Sequence, residues 1–204
     1  MRTGIYGGSF NPMHIGHIEL GGWLLEQGYL DEMWFLVSPQ NPMKRQSDLL
    51  DDDMRLHLAR LSVDSYQRNH KTRVRFAKRS VRVMNIEARL PRPSYMINTL
   101  NLLQRRYPKR EFILIIGADN WLTFPHWYRS EEILEYHRII IYPRPGVELN
   151  ADELPESVTL ISGAPENDVS STQIREAIRN NPDYNGEGLV PEAWKEIKEW
   201  GLYL

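Results

Sequence analysis

The chain is predicted to fold as an α/β protein with a doubly wound, mostly parallel sheet. Three observations predict it. Short β-rich runs alternate with amphipathic helical stretches along all 204 residues. The run Phe112–Ile116, "FILII", is apolar on consecutive positions, as a parallel strand covered on both faces must be. A glycine-rich segment, Gly7–His17 or "GGSFNPMHIGH", follows the first apolar run, where sheets of this kind place a ligand-binding turn.

The elements follow in order. Thr3–Tyr6 is a β-rich run stopped by two glycines, and a helix over about 15–28 follows it. Met33–Val37 is the second strand. The next helix, about 53–66, opens on "DLLDDDMR", whose acids suit the positive end of a helix dipole better than they suit a metal. Arg73–Phe76 lies in "KTRVRFAKRSVR", six basic residues in twelve; its alternation indicates an edge strand with a solvated face, not an RNA-binding patch. A helix over about 95–106 and the strand Phe112–Ile116 come next, then strands at Arg138–Tyr142 and Val158–Ile161. Helices over about 171–179 and 191–200 close the chain. Ser170 with Gln173 three residues on forms a capping box for the first of these.

Bulk composition narrows the function. Hydrophobic residues are 41% and charged residues 25% of the chain, enough for a well-buried core in one domain spanning 1–204. The net charge of −2 and a pI near 6.3 exert no global pull on nucleic acid or membrane. There is no cysteine, so disulfides and thiolate metal sites are excluded and a cytoplasmic location is expected. No signal-peptide core or membrane-length apolar run is evident.

Chemically interesting residues cluster just after the strands, where open parallel sheets bind ligands. "GGSFNPMHIGH", "SPQNPMK", "GADNW", "PRPG" and "SGAPENDVSSTQIR" follow the first, second, fourth, fifth and last strands. In the first, glycines let a ligand approach the backbone, and the next helix presents unpaired N–H groups to the same crevice. His14 and His17 stand at i and i+3 on one face of the first helical turn, each with an N–H for phosphate oxygens. An isolated HxxH is more often a pair of surface or metal-binding histidines; the flanking "GGSFNP" turns the balance toward phosphate. At the last site Ser171, Thr172 and Arg175 share one helical edge that can face an anion.

The first string resembles the G-x-F-x-P-x-H-x-G-H motif of the nucleotidyltransferase superfamily, relatives of the class I aminoacyl-tRNA synthetases, and residues 14–17 spell their HIGH element. A synthetase would need more chain than 204 residues. "GGSFNPMHIGH", "RPSYMINTL", "IIGADNWLTFPHWYRSEEIL", "PRPG" and "SSTQIR" together resemble the blocks of one subfamily, bacterial nicotinate-nucleotide adenylyltransferase. That resemblance implies a Rossmann-like nucleotidyltransferase fold whose C-terminal helical part, about 165–204, completes the ATP site. It implies that His14, His17, Lys44 and Arg175 handle the reacting phosphate and the leaving pyrophosphate. It implies ATP contacts from Gly8, Ser9, Phe10, Gly117, Asp119, Ser170, Ser171 and Thr172. For the pyridine nucleotide it implies Trp127 as a stacking ring, backbone N–H groups near Met96 and Tyr128, and Arg144 near the phosphates. No resident metal is implied; Mg²⁺ arrives with ATP. The family often has Pro-His-Lys where Pro42-Met43-Lys44 stands, Asp in place of Asn11 and Thr in place of Met96, so a side-chain hydrogen bond at 96 is missing. Trp127 as a core aromatic, Asp119 as a turn residue and Lys44 as a solvated lysine are the plainer readings, and His126 has no assignment.

The implied activity is adenylyl transfer from ATP to nicotinate mononucleotide. Two other readings stay open: another small nucleotidyltransferase, acting on pantetheine phosphate or through a cytidylyl group, and a nucleotide-binding module without turnover. Nothing in the sequence speaks to the oligomeric state.

Overall fold

The computed structural model describes residues 1–39, 49–69, 81–90, 93–165 and 168–204. Among these residues six strands, β1 (Arg2–Gly8), β2 (Glu32–Val37), β3 (Val81–Met84), β4 (Glu111–Gly117), β5 (Arg138–Tyr142) and β6 (Val158–Leu160), make one sheet. Its order is β3-β2-β1-β4-β5-β6, and every pairing is parallel. The doubly wound expectation therefore holds, with a fully parallel sheet. The winding reverses between β1 and β4, paired in register as Thr3 with Phe112 and Ile5 with Leu114. At such a reversal the flanking connections leave on opposite faces and open a crevice at the strands' carboxyl ends.

Alternation along the strands sorts side chains to two faces. Tyr6, Met33, Phe35, Ile113, Ile115, Ile140 and Tyr142 pack with α1 (Ile15–Glu26) and α2 (Asp52–Asn69). Ile5, Trp34, Leu36, Leu114, Ile116, Ile139 and Ile141 pack on the other face with α3 (Met96–Arg106) and α5 (Ser130–Tyr136). Both sides of β4 are buried from Phe112 onward, as its apolar run requires. At Gly7 a Cβ would come within 2.7 Å of the Met96 methyl, so a larger residue there would require the Met96 side chain to move.

The expected elements at 15–28, 53–66, 95–106, 171–179 and 191–200 appear as α1, α2, α3, α6 (Ser171–Asn180) and α7 (Pro191–Glu199). Asp52 and Asp53 occupy the first turn of α2. The strand expected at Arg73–Phe76 lies outside the described residues; β3, at Val81–Met84, is the strand that pairs with β2. Two helices were not anticipated between β4 and β5: α4 (Ala118–Thr123) and α5, joined by a tight turn at Phe124–His126. Pro125 and a left-handed Arg129 (φ 57°) divide this stretch, so neither helix is long enough to show a periodic apolar face.

The C-terminal helices dock on α2 through Leu58, Ile174, Leu189, Ile197 and Tyr203. Ile174 is 2% exposed and is the buried residue of α6. Ile174→Ala is expected to cost about 2–5 kcal/mol through the cavity it leaves, measured as a shift in the urea unfolding midpoint at unchanged m-value.

Candidate active site

The site is built on the turn after β1. Buried backbone groups in a loop need partners, and this loop's carbonyls find them in remote side chains. Arg55, fully buried on α2, donates from Nη1 to Ser9 O (2.5 Å) and Ser38 O (2.8 Å). Its Nε donates to Leu50 O (3.0 Å), and its Nη2 to Pro39 O (3.3 Å) and Asp52 Oδ1 (2.6 Å). One guanidinium thus ties the β1 and β2 ends to the start of α2, using its planar fork of donors. From α6, Ser171 Oγ donates to Pro12 O (2.8 Å) and Arg175 Nη1 to Asn11 O (2.8 Å). The Asn11 side-chain oxygen accepts from the Leu50 N–H (3.2 Å), a role an aspartate would fill equally well. The two signature segments are in direct contact through these bonds, which join residues 159 and 164 positions apart in the chain.

His14 caps α1 and is 5% exposed; His17 lies one turn on, its ring centroid 3.7 Å away. The His14 backbone N–H donates to His17 Nδ1 (3.2 Å). Nδ1 is therefore the accepting nitrogen, which in the neutral ring puts the proton on Nε2. Phe10 packs edge-on against His17 at 5.0 Å and holds the ring. Burial, and then the charge of Arg144, push the His14 pKa down to about 3. His14 is thus neutral at physiological pH and contributes dipoles, not charge.

Two cavities open at this end of the sheet. One, of about 250 Å³, is lined by His14, Gly16, His17, Arg144, Ala164 and Asp168, among others. The other, of about 200 Å³, is aromatic, with Tyr95, Met96, Trp127 and Tyr128 beside Gly8 and Gly117. Tyr6 of β1 and Tyr142 of β5 belong to both walls, and their hydroxyls meet at 2.7 Å. Burial, with the neighbouring phenol adding to it, raises the Tyr6 pKa; burial also raises that of Tyr142. The partition is therefore a pair of neutral hydroxyls.

The expected residues divide between the two cavities and the structure around them. His14, His17 and Arg144 share the first cavity; Gly8, Gly117, Met96, Trp127 and Tyr128 share the second. Arg144, expected near the phosphates of the pyridine nucleotide, lines the cavity of the two histidines, its Nε 3.6 Å from Asp119 Oδ1. A Cβ on Gly117 would strike that carboxylate, which lies in the first turn of α4. Met96 opens α3, where the backbone N–H has no intrahelical acceptor and suits an anion. The Trp127 indole Nε1 is buried without a hydrogen-bond partner among the described residues. Ser9 and Phe10 are buried beneath the turn. Ser170 forms the expected capping box, its Oγ accepting from Gln173 N at 3.2 Å. Thr172 Oγ1 accepts from Arg175 Nη2 at 3.3 Å. Ser170, Ser171, Thr172 and Arg175 adjoin the turn but line neither cavity wall. Lys44 lies outside the described residues. The sequence reading missed Tyr6, Tyr142, Ser38, Glu87 and Ser94 on the walls; Tyr142 ends β5 and Tyr6 lies two residues from the end of β1, so the carboxyl-end rule was a signal that pointed to them.

A parallel sheet wound in this order, with glycine turn, histidine pair and capped serine helix at its carboxyl edge, defines a Rossmann-like nucleotidyltransferase. Comparison with known proteins narrows the class. The cytidylyltransferase-like family matches residues 5–177. A "probable nicotinate-nucleotide adenylyltransferase" of Bacteroides thetaiotaomicron is 46% identical over 200 residues, covering 98% of this chain and 92% of its own. One of Porphyromonas gingivalis is 40% identical, covering 95% and 92%. A solved Plasmodium falciparum nicotinic acid mononucleotide adenylyltransferase complexed with NaAD superposes with a TM-score of 0.80 at 18% identity, covering 99% of this chain and 97% of that one. The chain belongs to the cytidylyltransferase-like family and, within it, to the nicotinate-nucleotide adenylyltransferases.

The low His14 pKa has a consequence for stability. Between pH 6.5, the ordinary histidine value, and about 3, the unfolded chain binds a proton at this residue that the folded chain does not. Stability is therefore lost as pH falls through that window, by up to about 1.4 kcal/mol per pH unit. Urea unfolding of the parent and His14→Asn between pH 7 and 4 is expected to show a shallower slope in the variant.

Proposed function

We propose that the chain transfers the adenylyl group of Mg·ATP to nicotinate mononucleotide, giving nicotinate adenine dinucleotide and pyrophosphate. One observation carries this: two cavities of different character, one polar with histidines and arginine, one aromatic, share the Tyr6–Tyr142 partition. A reaction joining two nucleotides needs two such compartments opening on one reacting centre. The relatives' name supports the reading.

In this reading the 5′-phosphate oxygen of the mononucleotide attacks the α-phosphorus of ATP. The bond from that phosphorus to the bridging oxygen breaks, and pyrophosphate departs with the electron pair. The nucleophile is already an anion, so the protein's task is positioning and stabilising charge on the phosphoryl oxygens. His17 offers Nε2–H, neutral His14 a dipole, and Arg144 the positive charge of the same cavity. Lys44 and Arg175 are assigned to the departing pyrophosphate, with Ser9, Phe10, Ser170, Ser171 and Thr172 supplying donors along the phosphates. Gly117 and Asp119 hold the adenosine ribose. The whole chain works as one domain in which residues from about 165 onward complete the ATP site, a role that the bonds from Ser171 and Arg175 to the first turn support. Mg²⁺ enters as part of the substrate, held by phosphates and water. In the aromatic cavity Trp127 stacks on the pyridine ring, while the N–H of Met96 and that of Tyr128 receive its carboxylate. A cytoplasmic location accords with a chain that has no cysteine; among the described residues no helix is long and apolar enough to cross a membrane.

Pyrophosphate release from Mg·ATP, with nicotinate mononucleotide, nicotinamide mononucleotide and phosphopantetheine compared, tests the assignment: turnover with the first is expected, and turnover only with phosphopantetheine would overturn it. In the same assay His17→Ala is expected to lower kcat by about two to three orders of magnitude, as loss of one preorganised donor does. Trp127→Ala should act mainly on KM for the pyridine nucleotide, by roughly 1–3 kcal/mol of lost stacking.

A further inference from the structure

The aromatic cavity contains a carboxylate that the proposed reaction leaves without a role. Glu87 lies in the short turn Ile86–Arg89 between β3 and α3, is 3% exposed, and lines this cavity. Its Oε2 accepts from Ser38 Oγ (2.7 Å) and Ser94 Oγ (3.0 Å), and its Oε1 from Thr99 Oγ1 (3.0 Å). All three donors are neutral hydroxyls. They compensate the carboxylate's removal from water but leave its charge in place. Among the described residues no basic side chain forms an ion pair with Glu87 and neither lysine nor arginine lines the cavity, whose wall does include His126. Ser38 and Ser94 are themselves on the wall, so oxygen lone pairs and the carboxylate behind them give this side a negative potential.

Much of the rest of the wall is aromatic. Tyr95 and Tyr128 lie 4.5 Å apart, centroid to centroid, and Trp127 lines the same cavity. Aromatic faces sharing a cavity with a buried carboxylate suit a flat cation. A pyridine joined to ribose through its ring nitrogen is such a cation: the nitrogen has a fourth bond, and its positive charge spreads over the ring.

We infer that Glu87 is a specificity-determining residue that recognises the positive charge of the pyridinium ring. The inference rests on the mononucleotide reading above and deepens it. The cavity addresses two opposite charges on one small group: the cationic ring through Glu87 and the aromatic faces, the anionic ring substituent through the helix N–H at Met96. A ring reduced by two electrons and one proton to its 1,4-dihydro form loses the charge while keeping its outline and its substituent. Such a nucleotide meets the same walls without the electrostatic attraction.

The test is calorimetric titration of the full chain with nicotinate mononucleotide and with its 1,4-dihydro form, on the parent protein and on Glu87→Gln. The parent is expected to bind the cationic form roughly tenfold more tightly, the size of one close charge interaction partly screened by water. Glu87→Gln, of nearly the same shape, is expected to abolish that ratio, and Glu87→Asp to retain most of it. A purely structural role would weaken both nucleotides alike. Equal affinity of the parent for the two forms, or an unchanged ratio in Glu87→Gln, overturns the inference, and the first of these does so whether or not the variants fold. Failure of the parent to bind either nucleotide would instead overturn the mononucleotide reading, and this inference with it.

Discussion

The backbone carbonyls of residues 9–12 sit in a turn packed under helices, where unpaired oxygens would be costly. Three of them are satisfied by side chains from elsewhere: Ser9 by Arg55, Asn11 by Arg175, Pro12 by Ser171. The working end of the molecule follows from this arrangement. With the turn fixed, His14 caps α1 and His17 faces the cavity in a defined tautomer. The same arginine holds the end of β2 through Ser38, and Ser38 is a donor to Glu87 in the aromatic cavity. A single buried guanidinium therefore ties the first turn to Ser38, which lines the aromatic compartment.

The two compartments differ in their electrostatics because they are lined from different connections. The histidine cavity takes residues from β1–α1, from the end of β5 and from the segment before α6, and it contains Arg144. The aromatic cavity takes residues from the end of β2, from the approach to α3 and from the stretch after α4. Reversal of the winding at β1 and β4 brings the two sets to one edge. Tyr6 and Tyr142 keep them separate but adjacent, since burial keeps both phenols protonated and able to bond to each other.

What was legible in the sequence was what has a local signature. Strands β2, β4 and β5 are strongly apolar runs, β1 is marked by the glycines that follow Ile5 and Tyr6, and the capping box of α6 is written in Ser170 and Gln173. The histidine pair and the serine helix could be assigned to one site because both lie at the carboxyl edge of a parallel sheet. Features set by tertiary contact were not legible. Arg55 has the appearance of a solvated helical arginine, and only the fold turns five carbonyl and carboxylate acceptors toward it. β3 is partly buried throughout, which blurs its alternation, and α4 and α5 are too short for a period to show. Glu87 sits in a stretch with no recognisable motif of its own; its meaning comes from Ser38, Ser94 and Thr99, which converge on it from three parts of the chain.

The dependence of the first turn on the last helices also sets a timetable at the ribosome. The partners of residues 11, 12 and 15 are Arg175, Ser171 and the carbonyl of Gly188. At the 5–20 residues per second of protein synthesis, the interval between making Ile15 and making Gly188 is roughly 10–35 s. Throughout that interval the nascent N-terminal segment emerges without the contacts that will hold its nucleotide-facing turn. Competence therefore waits until the chain has been made through Gly188, and a product truncated before α6 would contain the six described strands but none of these partners of the turn.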